Sequence, residues 1–505
     1  MPANQSGGGA GAEEMRRVVA AFVGNARQPA LLEPGEELLP IGAENFLLDV
    51  RPRGLTMQAW DRTRNLTRRV MAIKASSAAK LEVVVERFAK REGRVYLLDL
   101  ARHSGAEMGR RSGRLVFRER FRLFLRRQFP GWTLAELSAE ANLEFSLSPV
   151  FPRALLRDGR KGWAAIACPP EGDAAALVSF GLIWLAYLRG RERRVAMEGL
   201  AFYVPSGAER APALRLLCLD RDTTSFVLFR YTVEDSVLAV DPSDHGNLDT
   251  RVEVCRGAAE PPSPGWERIT ARPGVERVVK HDGRVSLRVH GLEFAECADG
   301  EWRFGLGLGS GQRRTAREHH LGEIERLAEE LAQARAPGAR SRQHPLFRQS
   351  PEAWLESQAR RNLATLGASL LPEPVYGQVP AFAGGERGLM DLLAADRRGR
   401  LAVIELKATA DLHLPLQALD YWIRVKWHLD RGEFAARGYF PGLALSAEPP
   451  RLLLVAPALE FHPTTETILG FFDPQIEVER IGVGEDWRTD LRVMFRLKGA
   501  ERPGL

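Results

Sequence analysis

Cysteine is scarce in this chain. Four occur among 505 residues, Cys168, Cys218, Cys255 and Cys297, and no CxxC or Cys/His pair at zinc-ligand spacing is present. That excludes a zinc ribbon and a locally built iron–sulfur site, and it points to reduced, mostly buried thiols. No apolar run approaches the roughly 20 residues that a membrane helix needs. The phosphate-cradling pattern GxxxxGK[ST] is also missing, so a nucleotide-driven motor would have to be a separate protein. The opening MPANQSGGGAGAEE has no apolar core of the signal-peptide kind and reads as a flexible tail on a cytoplasmic protein. What is present is ordinary for a globular chain: 45% apolar and 27% charged residues, with a net charge of +6 dominated by arginine. A basic balance of this size is compatible with nucleic acid as a partner and gives no reason to expect a membrane.

The length suggests about three units, and the pattern is that of an α+β multidomain protein. After the tail at 1–14, residues 15–105 alternate short β-like runs such as LTMQAW and LEVVVERF with turns, as expected of a β-rich domain. Near the start of residues 106–240 comes FRERFRLFLRRQF (117–129), whose Phe117, Phe121, Phe124 and Phe129 fall near helical spacing. Its arginines form either a solvated face or a surface lying along phosphates. A small β-rich module spans 241–313, a helix and a Pro/Gly/Arg-rich linker span 314–345, and a last domain covers 346–500.

That last domain carries the chemistry. Ser350-Pro351 is a good helix start, and the following helix places Leu355, Ala359, Leu363, Leu366 and Leu370 on one stripe with Glu356 at its edge. Next come two apolar β-like runs around Asp396-Arg397-Arg398-Gly399-Arg400, which suits a three-residue hairpin loop with glycine in the left-handed position. In that register Asp396 faces Arg400 and Asp391 falls opposite Glu405. Lys407, two residues on, shares their face. Two carboxylates on one face of an apolar hairpin repel; a lysine offsets part of this, and a divalent cation offsets more. Oxygen-rich ligation of this kind suits magnesium or manganese.

Asp, a loop, then Glu-x-Lys on the next strand resembles the PD-(D/E)xK nuclease superfamily, with Asp391, Glu405 and Lys407 as the signature and Met390 where many members have proline. Gln417 and Tyr421, four apart on a helix opened by Pro415, resemble the QxxxY element of the RecB-type branch. The resemblance covers the C-terminal third and implies a restriction-endonuclease-like α/β/α domain that hydrolyses nucleic-acid phosphodiester bonds, with DNA the expected substrate and Mg²⁺ or Mn²⁺ the cofactor. It implies that Asp391, Glu405, the Leu406 carbonyl and Glu356 hold the metal, and that Lys407 orients or deprotonates water. Gln417 would support the site, and Tyr421, Arg424 and Lys426 would meet nucleic acid. A protein partner or a second copy of the chain remains open. The rival readings are a nuclease-like fold that binds nucleic acid without cleaving it, and a structural ion-pair cluster.

A shift of 238 residues lays RALLRDGRKGWAAIACP (153–169) under DLLAADRRGRLAVIELK (391–407), with matches at Leu155, Asp158, Arg160, Ala164 and Ile166. This suggests a degenerate nuclease-like middle domain in which Arg153, Ala167 and Pro169 stand at the signature positions and bind no metal.

Overall fold

The N-terminal strands follow the period-2 alternation of their side chains, and the resulting architecture is mixed α/β with several sheets. A computed structural model describes residues 7–33, 38–51, 54–60, 65–86, 92–101, 109–245, 250–257, 264–306, 313–337, 343–383 and 386–501. The chain divides into two units, residues 1–213 with 222–242, and residues 214–221 with 243–505. Residues 1–6 of the expected tail and residues 338–342 of the expected linker lie outside the described residues.

In the first unit, α1 (Gly7–Asn25) precedes strands β1 (Pro29–Leu32), β2 (Leu39–Pro40), β3 (Phe46–Arg51), β4 (Gly54–Trp60), β5 (Asn65–Ser76), β6 (Lys80–Glu86) and β7 (Glu92–Asp99). They form an antiparallel sheet in the order β2-β1-β7-β6-β5-β4-β3. The tail expected to reach residue 14 therefore gives way to helix at Gly7. Ala12, Met15, Val19 and Phe22 of that helix pack on Leu55, Met57, Val83 and Val95 of the sheet, which offsets the weak helix propensity of its glycines.

The same unit continues with α2 (Gly109–Gln128), β8 (Thr133–Ser138), β9 (Arg153–Asp158), β10 (Lys161–Ala167), α3 (Ala174–Arg191), β11 (Ala196–Pro205), the first part of α4 (Arg210–Leu216), β12 (Ser225–Tyr231) and β13 (Val237–Val240). Phe117, Phe121 and Phe124 of α2 are buried against Ala154, Ala165, Ala201 and Tyr203. Three of its arginines are engaged by carboxylates: Arg120 is buried with Asp235 at 2.7 Å, and Arg118 and Arg122 close on Glu119 at 2.7 and 2.8 Å. The β9–β10 loop has two residues, Gly159 and Arg160, because Asp158 pairs with Lys161. Arg153 consequently faces Ile166. The expected counterpart of Glu405 at Ala167 is thus displaced by one position, and that of Lys407 moves from Pro169 to Cys168.

The second unit holds α5 (Pro264–Thr270), β14 (Val275–Val279), β15 (Val285–Val289), β16 (Leu292–Ala298), β17 (Glu301–Phe304), β18 (Arg314–Thr315) and α6 (Leu321–Ala334). The five strands form an antiparallel sheet in sequence order. α6 belongs to this module rather than to a separate linker: Ile324, Ala328 and Leu331 are buried with Leu287, Phe294 and Trp302. Then follow α7 (Pro345–Arg348), α8 (Pro351–Arg361), α9 (Leu363–Leu366), β19 (Tyr376–Ala383), β20 (Glu386–Ala395), β21 (Leu401–Leu406), α10 (Leu414–Asp430), α11 (Glu433–Ala436), β22 (Arg451–Pro457), α12 (Thr465–Leu469), β23 (Val478–Val483) and β24 (Val493–Lys498).

The last six strands lie in the order β19-β20-β21-β22-β23-β24, with β21, β22 and β23 parallel and the other neighbours antiparallel. The sheet β8-β9-β10-β11-β12-β13 has the same order and the same directions, with β10, β11 and β12 parallel. In both, a helix precedes the first strand and another connects the third to the fourth, as a parallel connection requires.

α8 is clamped from two sides. Trp354, Leu355 and Ala359 bury against Leu392, Ala394, Ile404 and Leu406 of the C-terminal sheet. From the five-stranded module, His290 stacks on Trp354 at 4.8 Å and Glu276 accepts from the Ser357 hydroxyl at 2.6 Å. Gly291 sits at φ +77°, where a Cβ would fall 1.9 Å from the Ala353 carbonyl oxygen. Gly291→Ala combines left-handed strain with a backbone clash. It is expected to cost about 2 kcal/mol or more, read as a shift of the second unit's urea transition to lower denaturant.

Candidate metal centre

β21 is buried along its whole length. Ala402, Ile404 and Leu406 turn to the cluster beneath α8, so Val403 and Glu405 face the other way by strand alternation. The hairpin that brings Asp391 to them is set by its loop. Gly399 is at φ +79°, and the Asp396 carboxylate accepts from the amides of Arg398 and Arg400 at 2.8 and 3.0 Å.

The hairpin register pairs Leu392 with Ile404 and Ala395 with Leu401, and ladder pairing ends there, one step before Asp391 and Glu405. Side chains replace the missing rung. The Leu406 amide donates to Asp391 Oδ2 at 2.8 Å, and the Asp391 amide hydrogen-bonds the Glu405 carboxylate. Glu405 is 1% exposed, yet its Oε2 is buried with no hydrogen-bond partner. Lys407 Nζ lies 3.8 Å from Glu405 Oε1 and 3.7 Å from Asp411 Oδ2.

The electrostatics follow from burial. Desolvation first, and then the charge of Asp391, hold the Glu405 carboxyl well above the usual carboxylate range against the pull of Lys407. Desolvation and the nearby Glu356 push the Asp391 carboxyl up to about 7, although the Leu406 amide and Lys407 favour its ionised form. Burial and the Glu405 charge likewise raise the Tyr421 phenol to about 12, opposed by its hydrogen bond with Gln417. Gln417 and Tyr421 of α10 therefore stand together beside the two acids.

The other expected residues are less favourably placed. Glu356 is buried at 3% exposure, but its Oε1 is held by Arg360 at 3.0 Å and lies 3.6 Å from Arg288. Among the described residues, no three His, Cys, Asp or Glu side chains form a ready metal-binding group. Glu356 thus neighbours Asp391 electrostatically without joining it and Glu405 in one ligand set. Lys426 is paired with Asp430 at 2.6 Å, and Arg424 lies over the Tyr421 ring at 5.7 Å. Sequence reading missed three participants: Asp411, whose i+4 spacing from Lys407 was a usable signal, Glu352, one turn before Glu356, and Arg288, which no local spacing links to the site.

The donor set fits a hard divalent cation. The buried, unbonded Glu405 Oε2 beside the Asp391 carboxyl offers the oxygen chemistry that such an ion takes.

No family model matches the chain, and no curated protein matches it. Among solved structures, a chain of an EndoMS–dsDNA2 complex is similar at 13% identity and a TM-score of 0.15, over 43% of this chain and 93% of that one. Among the described residues no helix is long and apolar enough to cross a membrane.

The raised Asp391 value has a signed consequence. An unfolded aspartate releases its proton near pH 4, so between about pH 4 and pH 7 the folded, metal-free state binds the extra proton. The Asp391 contribution to stability should fall as pH rises through that window, and the raised Glu405 carboxyl adds a slope of the same sign that continues above it. Thermal unfolding in chelator from pH 4.5 to 8 should show this slope, and Asp391→Asn should make it shallower, leaving the part due to Glu405.

Proposed function

We propose that residues 346–500 form a metal-dependent nuclease of the PD-(D/E)xK kind and its RecB-type branch, hydrolysing phosphodiester bonds, most simply of DNA, with Mg²⁺ or Mn²⁺. The observation that carries this reading is the buried, unbonded Glu405 Oε2 beside Asp391 and Lys407. A structural ion-pair cluster would satisfy its carboxylates with cations on the chain, whereas here burial and mutual repulsion raise the pKa of both acids.

In this reading Asp391, Glu405 and the Leu406 carbonyl hold the ion, which would supply Lewis acidity and a bound water of lowered pKa. Lys407, which lies between Glu405 and Asp411, would orient the attacking water and offset charge growing on the phosphate oxygens. Gln417 and Tyr421 form the wall of the site on α10. Glu356 would be recruited only by leaving its arginine partners. The same reading takes the sheet β8–β13 as a degenerate copy of the fold, supported by its identical strand order and directions. Arg153 and Ile166 stand where the hairpin register places Asp391 and Glu405, so that copy contributes scaffold or binding surface and no chemistry.

A cleavage panel of single-stranded, duplex and branched DNA and of RNA, with Mg²⁺ or Mn²⁺, tests the proposal. Cleavage that falls at least about a hundredfold in Lys407→Ala supports it. A protein that retards nucleic acid in a gel but cuts none of these forms is a binding protein instead.

A further inference from the structure

Arg288 is a buried cation with an incomplete account. It lies on β15 of the five-stranded module and is 4% exposed. Its Nε donates to the Ser286 hydroxyl at 3.0 Å, and its guanidinium stands 3.8 Å from Glu293 and 3.6 Å from Glu356. Glu293 is already served by Lys280 at 2.9 Å, by Arg313 and by Ser286, and its carboxyl is accordingly held down at about 2. Around this group Lys280, Arg284, Arg288 and Arg313 meet Asp282, Glu293 and Glu296. Glu276 stands opposite Arg288 on β14 but is turned to Ser357 and Arg361 of α8, and Arg288 is the cation of this group directed at Glu356 of α8.

Across that boundary carboxylates are the closer neighbours of one another: Glu356 acts on Asp391, and Asp391 on Glu405, with Lys407 beside Glu405 and Arg360 beside Glu356. Gly377 leaves the room for this pairing: a Cβ there would lie 1.9 Å from Arg360 Nη2 and 2.7 Å from Glu356 Oε1. Glu356 is therefore seated in a shaped slot between two guanidiniums rather than on the metal ligands.

We infer that Arg288 is the internal counter-ion of the active centre: it holds Glu356 in an ion pair that a divalent cation must loosen to gain a third acid, and so it sets metal affinity from outside the nuclease-like domain. The inference rests on the metal reading of Asp391 and Glu405. The physical basis is competition between cations for one buried carboxylate, where Coulomb energies are larger than in water. The five-stranded module is then an electrostatic part of the centre.

The test uses the full chain without nucleic acid, with Mn²⁺ binding followed by the electron paramagnetic resonance signal of the free ion. Arg288→Gln, which keeps a polar group toward Ser286 but removes the charge, should bind Mn²⁺ about fivefold more tightly or better. Arg288→Lys should stay within about twofold of wild type, since it keeps the charge. In a Glu356→Gln background the gain should vanish. If Arg288→Gln does not fold, Arg288→Met reads the same balance. Unchanged or weaker Mn²⁺ binding on loss of the charge, while Asp391→Asn still weakens it, would overturn the inference and leave the metal reading standing. Wild-type protein with no Mn²⁺ binding that depends on Asp391 would remove both.

Discussion

Two carboxylates meet where a buried hairpin stops pairing, and much of the C-terminal architecture can be understood from that point. Asp391 accepts the Leu406 amide, and Glu405 accepts the Asp391 amide, so side chains take over bonds that a continued ladder would have made. The exchange fixes both acids at one end of the hairpin, but it leaves like charges together at low exposure with one oxygen unbonded. Such an arrangement is costly without a cation. The fold tolerates it because the strand that bears Glu405 is buried on both faces and cannot turn the acid outward.

The surroundings keep that strand in place. Trp354 and Leu355 of α8 seal one side of β21, and the module at 264–334 grips α8 from behind through Glu276, His290 and Gly291. The first unit repeats the six-stranded topology without the acids. There the corresponding hairpin position is Arg153, whose guanidinium lies over Trp184 at 5.4 Å and donates to the carbonyls of Ser148 and Glu140. The same strand order thus carries two crowded carboxyls in one sheet and, in the other, a buried arginine whose two Nη atoms reach carbonyl oxygens.

Much of this was legible in the sequence because hairpin register is local arithmetic. Asp396, Gly399 and Arg400 define a three-residue loop, and from it the facing of Asp391 and Glu405 follows residue by residue. The splaying at that pair was not legible, since it depends on side chains competing with backbone for the same amide. Glu356 was visible as an acid at the edge of a helical stripe, but its partner Arg288 is 68 residues away on a separate sheet, and no periodicity links them. The helix at Gly7 was hidden by glycines whose poor propensity is outweighed by tertiary packing of Val19 and Phe22. In the middle sheet, one residue fewer in a turn shifted Ala167 out of the position that a fixed offset had assigned to it.

The shared cation is the claim on which the functional account turns, and anomalous diffraction from crystals soaked in Mn²⁺ addresses it most directly. The account predicts a manganese peak bounded by the Asp391 and Glu405 carboxylates and the Leu406 carbonyl, absent from Glu405→Gln crystals treated alike. A soak that leaves that position empty, with the two carboxylates unmoved, would contradict it.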